Sequence, residues 1–274
     1  MTLYVLISTL GEGIRTVPSV LLPADEAVRY IVIWQSEGQS LTACPFELSE
    51  RSDVHVEIQE GRGLCCSRNA AIAAALAQMK DPLEDAVFLI TDDDVCLRED
   101  AFNRIRELYE SYPKLDVALF AIHNSVTGEP LKRYPDKLTS YAHRPRGYYP
   151  SSVEMTMRSR VAQIGLRFDE RFGLGSEELC AGEESVFMTE VLRRKLTALI
   201  VPTIIGSTDP KTTGQQALNV KALRSKGALY GYQLSLPLAW LRSMKEALSL
   251  SLRKGVSPFG LFREIWWGVQ LIRK

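Results

Sequence analysis

Short apolar runs alternate with helix-like stretches along most of this chain, and that alternation constrains the fold more than any other feature. "LYVLIST", "VRYIVIWQ", "DVHVEIQ", "AVFLIT" and "DVALFAI" are rich in β-branched and aromatic residues and are bounded by turn formers, as short strands are. Between them, "SRNAAIAAALAQMK" reads as a helix with Ser67 as its N-cap. "REDAFNRIRELYESYP" reads as a second helix, with Phe102, Ile105, Leu108 or Tyr109, and Tyr112 on one face, Asp100 near its start and Pro113 as its stop. Strands alternating with helices predict an α/β fold with a largely parallel sheet. Ligands then gather at the carboxyl ends of the strands. Further on, "SSVEMTMR" and "LTALIVP" read as strands and "AGEESVFMTEVLRRKL" as a helix. The stretch "SVTGEPLKRYPDKLTSYAHRPRGYYP" has no steady period and reads as irregular chain, a loop over a site.

Three aspartates, Asp92, Asp93 and Asp94, close the fourth apolar run. Side by side they repel one another, and burying one unpaired costs several kcal/mol. One reading is a solvated turn with Asp93 or Asp94 capping a helix. The other is a set of hard oxygen ligands for Mg²⁺ or Mn²⁺. Strand alternation puts Asp92 and Asp94 on one face and Asp93 on the other. Ser8 and Thr9 end the first run in the same way. "AGEESVF" sets Glu183 and Glu184 at a helix start, where the helix dipole alone favours acids and where a general base could also stand. "GRGLCCSRN" places Gly61 and Gly63 ahead of a helix, with Arg68 and Asn69 in its first turn. It is neither a Walker A nor a full dinucleotide fingerprint. His55, His123 and His143 have no metal-site spacing, and no G-x-S-x-G occurs.

Taken in order, these elements resemble a family 2 glycosyltransferase of the inverting GT-A type. "GLCCSRNAAI" resembles that family's Ala-Arg-Asn-x-Gly stretch, and "LITDDDV" its D-x-D element. "FDERFGLG…AGEESVF" resembles its Phe-Asp-Glu segment followed by Gly-Glu-Asp. The resemblance covers residues 1–214 and implies a GT-A domain there, binding a nucleotide-sugar donor with a divalent cation, Mn²⁺ or Mg²⁺. It implies that Asp92 contacts the nucleoside or the metal's surroundings, and that Asp94 binds the metal. Glu184 becomes the base, with Glu183 as its neighbour and the alternative assignment. Ser8, Thr9, Arg68, Asn69 and Asp93 surround the nucleotide. Where the family has an acid after its second strand, this chain has Trp34 and Gln35, candidates for stacking or amide contacts. Where the family has a late metal-binding His, "GSTDPKTTG" offers Asp209 as a substitute ligand, and Lys211, Thr212 and Thr213 as phosphate contacts. The implied acceptor is a glycan or a lipid-linked saccharide. A sugar-phosphate nucleotidyltransferase and a non-catalytic nucleotide-sugar-binding module are the rivals. The first wants a basic Gly-rich loop where "STLGEGIRTVPS" stands; intact acids at both positions argue against the second.

Charge separates the end of the chain from the rest. Residues 215–274 hold ten Lys/Arg and two acids, a net +8, and because the whole chain is neutral the remainder carries −8. We read residues 215–274 as a basic helical extension whose partner is an anionic membrane surface rather than nucleic acid. Phe259, Phe262, Trp266 and Val269, broadened by Ile265 and Ile272, form the expected apolar stripe. The alternative is a helix folded back on its own domain or on a dimer mate. Five cysteines, odd in number and without a C-x-x-C pair, disfavour disulfides and structural zinc and point to a reducing, cytoplasmic setting. "MTLYVLISTL" lacks a basic leader, and no apolar stretch reaches the roughly 20 residues a bilayer span needs. The expected location is therefore cytoplasmic, peripheral on the inner face of the plasma membrane.

Overall fold

A computed structural model describes residues 1–36, 43–79, 81, 84–209 and 219–273. The 214/215 boundary and Lys211, Thr212 and Thr213 lie outside the described residues. The strands are β1 (Thr2–Leu10), β2 (Val28–Gln35), β3 (Val54–Gln59), β4 (Ala86–Asp92), β5 (Cys96–Leu97), β6 (Val117–Asn124), β7 (Thr139–Ser140), β8 (Met155–Arg158) and β9 (Ala198–Thr208). The α-helices are α1 (Val17–Val20), α2 (Phe46–Ser49), α3 (Leu64–Gln78), α4 (Ala101–Ser111), α5 (Ser159–Gln163), α6 (Glu183–Arg193), α7 (Val220–Gln233), α8 (Leu236–Lys254) and α9 (Pro258–Arg273).

All nine strands join one mixed sheet in the order β3-β2-β1-β4-β8-β6-β9-β5, with β7 beside β9. β3, β2, β1 and β4 pair in parallel, and β6 and β9 pair in parallel. β8 is inserted antiparallel between β4 and β6. The apolar runs become strands because both faces are covered: Leu3, Val5, Ile7, Val28, Tyr30, Val32, Val87, Leu89, Ala118 and Phe120 all belong to one core. α4 buries Phe102, Ile105 and Tyr109 and leaves Tyr112 outside as its C-cap. α3 begins at Leu64, three residues before Ser67, so Ser67 is not a cap. It sits inside the helix, where its hydroxyl donates to Ser8 Oγ at 2.9 Å.

The described residues form two units. One comprises those of Met1–Arg62, Cys66–Arg167 and Glu190–Pro210; the other those of Gly63–Cys65, Phe168–Thr189 and Lys211–Lys274. In the second unit the basic extension is three helices. Pro237 lies in the first turn of α8, where its missing N–H costs nothing. Gly255, at φ +67°, ends that helix in the left-handed conformation. α9 packs on α7 through glycines: a Cβ at Gly227 would lie 1.6 Å from Ile265 O, and one at Gly268 1.9 Å from Arg224 O. Backbone approach of that kind requires residues without side chains. It also selects the buried side of α9, namely Leu261, Ile265, Gly268 and Val269. The expected stripe is therefore divided. Val269 and Ile265 are buried, Phe259 is 84% exposed, and Phe262 stacks on Trp266 with partial burial. Among the described residues no helix is long and apolar enough to cross a membrane.

Candidate functional site

The parallel half of the sheet sets the site through its register. Ser8 on β1 pairs with Asp92 on β4, Thr9 with Trp34, and Leu10 with Gln35. Four of the expected residues thus stand in a row across the carboxyl edge, where parallel strands present ligand-binding groups. β4 ends at Asp92, and Asp93 and Asp94 form a turn. Strand alternation therefore stops before Asp94 and does not sort the triplet; three different sets of neighbours do.

Asp92 faces the buried guanidinium of Arg68, whose Nη2 donates to Ser152 Oγ at 2.6 Å and lies 3.3 Å from Asp92 Oδ1. Arg68 is 1% exposed, so the charge pair is largely shielded on its cationic side. Asn69 follows it on α3, half-buried. Asp93 turns toward β1: Thr9 Oγ1 donates to its Oδ2 at 2.5 Å, and Thr16 Oγ1 donates to its backbone carbonyl at 3.0 Å. Burial is the main cause that raises the Asp93 pKa to about 6; the Thr9 hydrogen bond opposes the rise, and Asp92 and Asp94 add to it. Asp94 is exposed as a residue, yet crowding of its carboxylate by protein, then the charges of Asp92 and Asp209, hold its pKa up. No cation among the described residues pairs with Asp94. Among the described residues, three carboxylates thus repel one another around the Arg68 guanidinium, which Ser152 shares.

Trp34 and Gln35 are placed differently from expectation. Trp34 is 2% exposed within the core and donates through Nε1 to Gly11 O at 2.7 Å, so its ring offers no free face for stacking. Gln35 is buried too, with Nε2 donating to Gln59 Oε1 at 2.9 Å. Both brace the β2 end of the edge.

Gly13, Thr16 and Ser152 were not legible as site residues. A Cβ on Gly13 would lie 2.3 Å from Asp93 Oδ2 and 2.7 Å from Thr9 Oγ1, so the Thr9–Asp93 bond requires glycine there. The one local signal was the "GEG" immediately after the first strand.

Glu183 and Glu184 belong to the second unit and open α6. Glu183 is 5% exposed, and Glu184 is the more accessible of the two. Gly173, at φ +91°, is fitted against Glu183: a Cβ there would meet Glu183 Cδ at 3.2 Å and Cys65 Sγ at 3.1 Å. Cys65 donates to Phe172 O at 3.1 Å. "FGLG" and "LCC" are thereby tied to the start of α6.

The irregular stretch before β8 encloses a cavity of about 510 Å³, lined by Lys132, Arg133, Tyr134, Arg146, Tyr148 and Tyr149 among others. Glu154, fully buried, anchors it: Lys132 Nζ lies 2.8 Å away, and the Tyr134 and Tyr148 hydroxyls donate at 2.7 and 3.1 Å. Burial raises the Glu154 pKa against the pull of Lys132 and the two hydroxyls.

Among the described residues no group of three or more His, Cys, Asp or Glu is arranged to hold a metal ion. No family model matches the sequence, and no curated protein matches it. Solved structures do. S. aureus TarS 1–349 aligns with a TM-score of 0.58 at 13% identity, over 99% of this chain and 83% of that one. The same protein in complex with UDP gives 0.56 at 12% identity, over 94% and 73%. In complex with UDP-GlcNAc it gives 0.55 at 13%, over 94% and 74%. The mixed sheet flanked by helices is thus the fold of these TarS structures.

Proposed function

We propose that this chain is a glycosyltransferase of the family 2 type. It would move a sugar from a nucleoside-diphosphate donor to a hydroxyl of a glycan or lipid-linked saccharide, with inversion. The observation that carries the reading is the carboxyl edge, where Ser8, Thr9, Arg68 and three crowded aspartates meet, in a fold shared with one protein solved both with UDP and with UDP-GlcNAc.

The donor set suits a hard cation because Asp94 is a crowded carboxylate without a cationic partner among the described residues. Asp94 would hold it, and Asp92 and Asp209, whose charges both bear on Asp94, are the candidates to join it, although among the described residues no three of these acids are arranged as a ready-made site. When bound, Mn²⁺ or Mg²⁺ supplies Lewis-acid stabilisation of the departing diphosphate. The chain's own residues do the rest. Arg68 and Ser152 hold the Asp92 carboxylate in place, and Thr9 with Gly13 holds Asp93. Glu184, with Glu183 as the alternative, accepts the proton of the acceptor hydroxyl as its oxygen bonds to the anomeric carbon. The bond from that carbon to the donor phosphate breaks, its electron pair leaving with the nucleoside diphosphate through an oxocarbenium-like transition state. The tyrosine-lined cavity is the candidate acceptor seat, since ring faces and cations together suit a saccharide.

The test is nucleotide release from a panel of nucleotide-sugars with Mn²⁺ or Mg²⁺, alongside thermal shifts by nucleoside diphosphates. Asp94→Asn is expected to lose the metal-dependent part of donor binding. Glu184→Gln is expected to keep donor binding and lose transfer by two orders of magnitude or more. Full transfer by Glu184→Gln moves the base to Glu183, and full transfer by both Gln variants ends the assignment. Donor binding without any turnover would favour the binding-module reading, and pyrophosphate release from a nucleoside triphosphate would favour the nucleotidyltransferase.

A further inference from the structure

α8 is an inverted amphipathic helix. Its buried side is Ala239, Ser243, Ala247 and Leu250. Its larger apolar residues point outward: Leu238, Leu241, Leu248 and Leu252 are 54%, 56%, 49% and 88% exposed. At 100° per residue these four fall within one arc on the side opposite the buried residues, and Lys245 lies inside that arc. A soluble surface seldom keeps a leucine stripe in water, and such a stripe marks a docking face.

Charge identifies what docks. Lys245, Arg253 and Lys254 make no hydrogen bond or ion pair with any described residue. Glu246, the sole acid of the helix, is committed to Lys226 at 2.6 Å. The cations of α7 are spent differently: Arg224 is held by Glu178 at 2.6 Å and by Glu264 at 3.0 Å. Of the extension's cations, Lys245, Arg253 and Lys254 are thus left for a partner, with Lys245 inside the leucine arc and Arg253 and Lys254 in the last turn of α8. A second copy of the chain seated there would set these cations against their own kind across a two-fold axis. An anionic lipid surface takes both the leucines and the cations, with Lys245 extending past the apolar stripe to the headgroups.

We infer that the outer face of α8 lies in the plane of an anionic membrane, the negatively charged cytoplasmic leaflet being such a surface. This places the membrane contact on α8, whereas the sequence placed it on α9, whose Ile265, Gly268 and Val269 are used in packing. The inference stands independently of the transferase reading, because it uses no residue of the proposed site.

The test is co-sedimentation of the full chain with phosphatidylglycerol-containing vesicles and with pure phosphatidylcholine vesicles, at low and high salt. Binding to the anionic vesicles alone, weakened by salt, is expected. Lys245→Gln with Arg253→Gln should weaken it on the order of 30-fold, at about fivefold per cation. Leu248→Gln with Leu252→Gln should weaken it about tenfold or more per leucine; both leucines are exposed, and far-UV circular dichroism checks that the fold is kept. Three results would overturn the inference: no binding to anionic vesicles, unchanged binding by the leucine variant, or a dimer in solution that the leucine variant dissociates while vesicles fail to bind. Nucleotide-sugar turnover, measured on the same samples without vesicles, is expected to be unchanged in these variants, so failure of this inference stays distinct from failure of the proposed function.

Discussion

Gly227→Ala tests the α7–α9 packing by the sign of its effect. An alanine in a helix interior ordinarily stabilises by about 1 kcal/mol relative to glycine. Here the new Cβ would stand 1.6 Å from Ile265 O and 2.6 Å from Ile265 C, both backbone atoms that no rotamer change can move. A tolerable C···O contact is about 3.3–3.6 Å, so α9 must retreat by roughly 1.7–2 Å. A gap of only 0.5–1 Å forfeits about a quarter to a half of the dispersion energy of the atoms that line it. Overpacking of this kind costs about 3 kcal/mol, the upper end of its usual range. Less the propensity gain, the net loss is about 2 kcal/mol. Gly260→Ala, in α9 with nothing within 4 Å of its added Cβ, is the control and should stabilise by up to about 1 kcal/mol. Urea unfolding followed by tryptophan fluorescence suits the question, because three of the four tryptophans, Trp240, Trp266 and Trp267, lie in this unit. With a slope of about 1–3 kcal/mol/M, the Gly227→Ala midpoint should fall by roughly 0.7–2 M. If Gly227→Ala instead raises the midpoint as Gly260→Ala does, the packing argument is refuted.

Three further outcomes follow from the geometry. Gly13→Ala should displace Asp93 from Thr9 and, under the proposed function, weaken nucleoside diphosphate binding at least about tenfold, read by thermal shift against nucleotide concentration. Glu154→Gln should destabilise the chain by about 3–5 kcal/mol, because it leaves the enclosed Lys132 ammonium without its counter-charge; an unchanged urea midpoint would contradict this. Asp53 is held below the ordinary carboxylate range chiefly by its hydrogen bonds from Arg51, at 2.6 and 3.0 Å. A lowered acid contributes stability that is full above its unfolded pKa of about 3.9 and is lost as pH falls through the folded value. Asp53→Asn should therefore lose about 1 kcal/mol at pH 7 and show a shallower acid limb below about pH 4 in denaturation measured against pH.

The strands of the parallel half were legible because each is an apolar run buried on both faces. Asp92, Ser8 and Thr9 were legible because such runs must end where their polar residues begin. Pairings of high sequence separation were not. β5 and β7 are two residues each, and β8 is recruited between β4 and β6 by partners far away in the chain. Ser67 looked like a cap because local chemistry cannot show that α3 starts a turn earlier, at Leu64. Alternation misread Asp94 because β4 stops at Asp92. Trp34 looked available because side-chain type does not reveal that its N–H is held by Gly11. The stripe on α9 failed for a related reason: periodicity weighs large residues, and the contact was chosen by the absence of side chains at Gly227 and Gly268.

The second unit is built from separated pieces of chain, and this sets a timetable for its synthesis. Phe172, Leu179 and Val186 share a small core with Ala228, and Leu229, Tyr232, Leu271 and Ile272 pack against it. Val186 is made about forty residues before Ala228. At roughly 5–20 residues per second, those three apolar side chains wait on the order of 2–8 s for α7, and longer for the end of α9. During that interval a nascent chain exposes the segment carrying Glu183 and Glu184 with its apolar side uncovered. This places the demand for chaperone protection in the last part of translation, over an interval in which β9, Ala198–Thr208, is also made.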